Sequence, residues 1–253
     1  MKVDLDGAVV LVTGGSGGIG SAISRRLAGA GAKVAIHHHA GAAAARRLAE
    51  EIGNGARCFR ADLGDPAGAG ALFDEVLEHY SRVDVLVNNA GIFTEAPVST
   101  GREEWLAHWN RTLAINLTSV AVLCHAAVNH FIGRGGGRII HIASRAAFRG
   151  ETGEYLAYGA SKGGMVTLSR SIARAFGGQN VCSFVVAPGL VRTRMIDGYL
   201  DRHGEENVVE REQVLPRLTE PDDLAPCVTL LASGMMDHAT GCTIDINAGS
   251  YFR

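Results

Sequence analysis

Short apolar runs recur along the chain, each followed by a longer stretch in which apolar residues return every three or four positions. The runs AVVLVT (8–13), KVAIH (33–37), ARCFR (56–60), VDVLV (83–87), RIIHIA (138–143), VCSFVVA (181–187) and CTIDI (242–246) read as seven strands. Helical periodicity fills the intervals, through AISRRLAGAGA, through AAAARRLAEEIG with Gly53 as a C-terminal stop, and longest over residues 103–132. Val- and Ile-rich runs without polar alternation suit strands buried on both faces. Strands of that kind alternating with helices predict an α/β fold with a parallel sheet covered on each side. Residues 192–223 break the pattern, being charged and only weakly periodic. A long irregular segment of this kind predicts a lid over a substrate site, although a solvated loop containing a helix would look the same.

Composition adds mostly exclusions. A chain of 253 residues, 47% hydrophobic, can bury one sizeable core. The formal net charge of −2 speaks against a nucleic-acid partner, and the RGGGR stretch at 134–138 is a glycine loop too short for an acidic membrane surface. Five cysteines without CxxC spacing read as reduced thiols in a cytoplasmic protein, with no disulfide framework and no metal site. The apolar run near the N-terminus is too short for a signal peptide or a membrane span.

Two local constellations carry chemistry. In VLVTGGSGGIG, Thr13, Gly14, Gly18 and Gly20 lie between the first strand and its helix. Absent side chains let the backbone turn sharply and let a diphosphate approach the free N–H groups of the helix, so the loop predicts dinucleotide binding. The second is GETGEYLAYGASKGG (150–164), with two tyrosines and one lysine. A phenol with an ordinary pKa of about 10 is a poor base near neutrality, and a nearby cation favours its ionised form. Tyr158 and Lys162 are four apart and share a helix face, whereas Tyr155 is seven from the lysine, roughly 10 Å along a helix. Tyr158 is therefore the candidate for proton transfer, with its pKa expected to be lowered by Lys162, and Tyr155 a pocket or packing residue.

TGGSGGIG, NNAG (88–91), Asn116, Ser144, YGASK (158–162), PGLVRT (188–193) and ATGCTIDINAG (239–249) follow one another in an order that resembles the short-chain dehydrogenase/reductase family. The similarity is to 3-oxoacyl-carrier-protein-reductase-like members and spans nearly the whole chain. It implies a single doubly wound Rossmann domain over 1–253, a nicotinamide coenzyme, and hydride transfer between a carbonyl and an alcohol. By the same resemblance Tyr158 is the acid or base, Ser144 holds the substrate oxygen, Lys162 also bonds the nicotinamide ribose, and Asn116 braces a water near Lys162. Coenzyme would lie against Gly14, Ser16, Gly17, Gly18, Ile19 and Gly20, with Asp62 and Leu63 beside adenine. Asn89, Ala90 and Gly91 would follow the fourth strand, and Pro188, Gly189, Val191 and Thr193 would close over the nicotinamide and diphosphate.

The end of the second strand, KVAIHHHAG, has no carboxylate to bind a ribose 2′-hydroxyl. His37, His38 and His39 can donate there, which favours NADP(H). The basic residue that NADP-preferring relatives often place before Gly18 is replaced by Gly17, so NAD(H) stays open. Adjacent strand residues alternate faces, so the three histidines do not converge on a metal. Phe93, Arg145, Arg149, Glu154 and Tyr155 are candidates for the substrate pocket. Ser144 to Tyr158 spans fourteen positions, about one more than is usual in the family, which weakens substrate analogies. The resemblance also implies a homo-oligomer, a tetramer, with Met165, Val166, Leu168 and Ile172 offered for packing. The competing reading is a non-catalytic dinucleotide-binding sensor, which glycine loops alone would permit.

Overall fold

A computed structural model describes residues 3–253. Seven parallel strands form one sheet in the order β3-β2-β1-β4-β5-β6-β7. They are β1 (Val9–Val12), β2 (Lys33–His38), β3 (Arg57–Arg60), β4 (Val85–Asn88), β5 (Gly137–Ile142), β6 (Val181–Pro188) and β7 (Thr243–Ile246). All seven predicted runs form strands, with ends shifted by at most two residues. The two-residue side-chain period sorts each strand between two cores. Val10 and Val12 of β1, Val85 and Val87 of β4, and Ile140 and Ile142 of β5 face one layer. Leu11, Leu86 and Ile139 between them face the other.

The first layer is helical through α1 (Gly18–Gly29), α2 (Ala42–Ile52) and α10 (Pro221–Ala232), which contribute Ile23, Leu27, Leu48, Leu224 and Val228. The second comprises α3 (Pro66–Tyr80), α5 (Ser119–Arg134) and α7 (Leu156–Phe176). Asp65 starts α3, its carboxylate accepting from Ala67 N–H at 3.0 Å ahead of Pro66, a proline where the helix needs no donor. Glu220 and Asp223 cap the start of α10 reciprocally.

The long predicted helix is α4 (Arg102–Leu113) running into α5 through a π-helical turn, Ala114–Thr118. Its apolar window has a mean hydropathy of 1.4, enough by composition to cross a bilayer, but Val120, Leu123, Ala127 and Phe131 are buried against the sheet. On α7, Met165, Val166 and Ile172 are likewise buried in their own chain's core, with Leu168 packed beside them. Met165, Val166 and Ile172 thus pack within the chain, and Leu168 is half-buried.

Residues 192–223 are more ordered than their composition suggests. They hold α8 (Asp197–His203) and α9 (Glu205–Glu212) before α10 begins. Ile196, Val208 and Leu218 form a small core of their own. A bridge from Val191 to Thr219 closes the base, with Arg192 N–H donating to Thr219 O at 2.9 Å. Arg192 also pairs with Glu205 and Glu220, and Arg202 of α8 reaches Glu95 at 2.5 Å. A one-turn helix, α6 (Ala146–Arg149), leaves β5 beneath this roof.

Candidate active site

The strand order reverses between β1 and β4, so the connections leaving their carboxyl ends part and open a crevice. A cleft of about 570 Å³ lies there, running from the glycine loop to the underside of the α8–α9 roof.

At one end the loop after β1 turns through Gly14 and Gly18, whose φ values of 60° and 33° favour glycine. Among the described residues no side chain caps the start of α1, where Gly17 stands, so its first N–H groups are left to face the cleft. A Cβ on Gly20 would overlap the Gly14 carbonyl and lie 2.7 Å from Asn89 Nδ2. Asn89 fixes this junction by donating to Thr13 O at 2.9 Å and Gly14 O at 3.2 Å, while Thr13 Oγ1 accepts from Asn89 and Ala90 N–H. A close-packed, donor-rich cradle at a helix N-terminus suits a diphosphate.

Gly14, Gly17, Gly18 and Ile19 line the cleft, as do Asp62, Leu63, Asn89, Ala90, Gly91, Pro188, Gly189, Val191 and Thr193. Ser16 and Gly20 do not. Ser16 faces Gly41, and Gly20 lies under the loop as packing.

The three histidines separate. His37 is buried, with Nδ1 accepting from Gly14 N–H at 3.0 Å and Nε2 3.2 Å from Ala61 O. Acceptance at Nδ1 places the ring proton on Nε2, and burial holds the pKa down at about 4. His37 is therefore a neutral brace under the glycine loop and supplies no charge to a 2′-phosphate. His38 is buried off the cleft with Nδ1 unpaired. His37 and His39 both line the cleft, and His39 is the half-exposed one, with Nε2 3.8 Å from the Asp62 carboxylate. Strand alternation explains the separation of His37 from His38.

Below the site, His141 on β5 is fully buried and pushed down to about 3, first by burial and then by Lys162. Both His37 and His141 have folded-state values below the ordinary 6.5. Their contribution to stability is complete above pH 6.5 and is lost as pH falls through the folded values, because the unfolded chain takes up protons first. The shift of His37 corresponds to about 3 kcal/mol when fully expressed. The expected result is a melting temperature that falls steadily between pH 7 and pH 4.5; a flat profile down to pH 4.5 would contradict the neutral assignments.

At the other end Ser144, Tyr158 and Lys162 meet. Lys162 is buried, its Nζ donates to Ile142 O at 2.8 Å, and it lies 5.7 Å from the centre of the Tyr158 ring. Burial lowers the Lys162 pKa to about 8. The Tyr158 phenol is pushed up to about 12 by burial, with the Ser144 hydroxyl pulling the other way. The expected lowering by Lys162 is not found. The ammonium is directed to a backbone carbonyl and over the ring, so desolvation of the phenolate prevails. Ser144 is buried at the end of β5, with Oγ accepting from Ala146 N–H at 3.1 Å.

Asn116 does not line the cleft. It is fully buried in the π turn, bonded both ways to the Ile92 backbone (2.8 and 2.9 Å) and to Ser161 Oγ at 3.2 Å. It stands behind Gly91, where an added Cβ would come 3.2 Å from Asn116 Oδ1 and 3.5 Å from Lys162 Nζ. Asn116 thereby holds the strand-end segment that Lys162 adjoins.

Of the predicted pocket residues, Phe93, Arg145, Arg149 and Tyr155 line the cleft. Phe93 stacks on Tyr155 (3.9 Å between centres, 5°) and meets Tyr158 edge-on at 4.8 Å. Glu154 is exposed outside the cleft, and Glu151 takes its place. Glu212 from α9 also enters, together with Arg194 and Tyr199 from the roof. Nothing local in the sequence marks Glu151 or Glu212 as pocket residues.

A family model described as enoyl-(acyl carrier protein) reductase matches residues 14–250. The chain is 35% identical to D-threitol dehydrogenase of Mycolicibacterium smegmatis, covering 97% of this chain and 93% of that one. It is 32% identical to 3-oxoacyl-[acyl-carrier-protein] reductase of Vibrio cholerae, covering 98% and 99%. A blue fluorescent protein from a metagenomic library, crystallised with NADPH, superposes with a TM-score of 0.89 at 35% identity, covering 98% of this chain and all of that one.

Proposed function

The chain belongs to the short-chain dehydrogenase/reductase family, and from that premise we propose which of its residues carry the chemistry and which coenzyme it takes. Members are NAD(P)-dependent oxidoreductases that interconvert a carbonyl and an alcohol, and this chain is such an enzyme. The non-catalytic alternative has no support among its relatives.

One observation supports the assignment of roles best: Ser144, Tyr158 and Lys162 converge on the cleft that also contains the glycine cradle. When bound, the nicotinamide supplies the hydride donor or acceptor. Tyr158, protonated at neutral pH, donates its proton to the carbonyl oxygen during reduction. The Ser144 hydroxyl donates a second hydrogen bond to that oxygen, where negative charge develops. Lys162, over the Tyr158 ring, would be the cation beside the resulting phenolate below about pH 8 and would hold the nicotinamide ribose. Asn116 is a positioning residue acting through Ile92 and Gly91.

NADP(H) is the proposed coenzyme, with NAD(H) the alternative. The absence of a carboxylate at the end of β2 and the open position of His39 favour a 2′-phosphate, and one structural relative was crystallised with NADPH. The Asp62 carboxylate near His39 weighs against it. Exposed Leu106 and Leu156, on the packed helices α4 and α7, provide apolar surface for the proposed homo-oligomer.

Titration of the protein with each nicotinamide should give the smaller Kd for NADP(H). A side chain at Gly17 meets nothing within 4 Å, so Gly17→Arg should lower the NADP(H) Kd about tenfold by adding a charged hydrogen bond, with little change for NAD(H). Tighter NAD(H) binding by the unaltered protein would reverse the assignment.

A further inference from the structure

The substrate end of the cleft holds a network of paired charges. Arg145 follows Ser144 directly, and its side chain is 4% exposed. Its Nη2 donates to Glu212 Oε2 at 2.8 Å and its Nη1 to the Glu212 backbone oxygen at 3.4 Å. Arg149, at the end of the same short helix, lies 3.6 Å from Glu212 Oε2 and 3.5 Å from Glu151 Oε2. All four residues line the cavity that Ser144 and Tyr158 open into. Within this network two cations and two anions cancel; Arg194 of the roof lines the same cavity outside it. Three of the four come from the floor, and Glu212 comes from the roof.

This arrangement leaves specific chemistry vacant. Both guanidinium groups already face carboxylates. Each carboxylate is approached through Oε2, and neither Oε1 accepts a hydrogen bond from the described residues. An ionised carboxylate only accepts, so the free oxygens call for donors on the substrate. At this network a substrate carboxylate would offer none and would meet the carboxylates of Glu151 and Glu212. A 3-oxoacyl thioester would likewise bring no donor to the carbons flanking its carbonyl. A hydroxyl can donate to a carboxylate and accept from an arginine at once. The stacked Phe93–Tyr155 pair adds a flat apolar wall of the kind that covers C–H faces.

On the reading that Ser144 and Tyr158 form a carbonyl–alcohol centre, we propose that the substrate is an uncharged polyol or the corresponding hydroxyketone, and that Glu212, carried in by α9, is its specificity-determining residue. The hydroxyl next to the reacting carbon bonds Glu212, and Glu151 receives a further one. Roof closure and hydroxyl recognition are then one event, because the residue that reads the substrate belongs to the roof.

The test uses the full chain with its preferred nicotinamide and four substrate types. These are four- and five-carbon alditols, secondary alcohols of matched length without neighbouring hydroxyls, the matched hydroxy acids, and an acetoacetyl thioester assayed as reduction. Alditols are expected to exceed the simple alcohols and hydroxy acids in kcat/KM by about tenfold or more, the worth of a hydrogen bond to a charged group. Glu212→Gln should lower kcat/KM for alditols through KM and by a larger factor than for simple alcohols. It should also raise the hydroxy acids relative to alditols by freeing Arg145.

Since that variant leaves a buried arginine unpaired, Glu151→Gln, at the other end of the network, serves as a second readout. It should show the same loss confined to substrates that carry hydroxyls beside the reacting one. Preference of the unaltered protein for hydroxy acids or the thioester, or equal losses on all substrates in both variants, would overturn the proposal while leaving the oxidoreductase reading intact. No turnover of any member in either direction would remove both.

Discussion

Tyr158→Phe is expected to lower kcat for carbonyl reduction by roughly 10²–10⁴-fold, the usual worth of a positioned general acid, with the coenzyme Kd nearly unchanged. The substitution removes one oxygen and keeps the ring. The edge-on packing against Phe93 and the proximity of Lys162 both belong to that ring, so the cleft retains its shape. The lost atom is the proton donor. Its pKa of about 12 makes Tyr158 fully protonated at neutral pH, which suits donation to a carbonyl. Steady-state rates with a fluorescence titration of coenzyme separate the two effects. Full activity in the variant would eliminate Tyr158 as the acid, and a parallel loss of coenzyme affinity would assign the phenol to binding.

The second large effect is expected at Gly20. A Cβ there would occupy the space of the Gly14 carbonyl oxygen and press on Asn89 Nδ2. Both are elements of the cradle, and neither is the free end of a flexible chain. Gly20→Ala should therefore separate α1 from the loop, at a cost of about 1–3 kcal/mol in stability, the usual range for overpacking. In a chain of this size that lowers the melting temperature by about 2–4 °C for each kcal/mol. Displacement of the first turn of α1 should raise the coenzyme Kd by about ten- to a hundredfold, as a few kcal/mol of lost binding implies. Gly17→Ala is the control, since its added methyl meets nothing within 4 Å and its φ of −117° suits any residue. Wild-type affinity in Gly20→Ala would mean that the loop tolerates displacement and that the tight packing has no bearing on binding.

These two residues also mark how far the sequence could be read. Its place between a strand and a helix marks Gly20 as part of a diphosphate loop. Its actual task, letting α1 press on the Gly14 carbonyl, belongs to a contact that the motif does not spell out. Helix spacing and the family resemblance both favour Tyr158 over Tyr155, and the structure places Lys162 over its ring. The direction of its pKa went the other way, because spacing shows which groups are neighbours and says nothing about how much water remains around them. The histidines divide for a related reason. Three adjacent imidazoles look equivalent in a string, but pleating puts His37 under the loop at the cleft wall, His38 off the cleft and His39 at its edge.

The pairing of Arg145 with Glu212 links residues 67 positions apart, and no periodicity joins them. The π turn that buries Asn116 was invisible for the same reason: residues 114–118 fit an α-helical pattern, and the extra residue in the turn is set by packing behind Gly91.

Sequence by itself determined the seven strands, the two covered faces, the glycine loop and the tyrosine–lysine pair. Each is written in repeats or spacings shorter than a few helical turns, where backbone geometry leaves few choices. Only the tertiary structure decided the charge state of the buried phenol and imidazoles, the separation of the histidines and the paired Arg145–Arg149–Glu151–Glu212 network. Those depend on desolvation and on which distant side chains share a cavity, and both are set when the sheet and its roof come together.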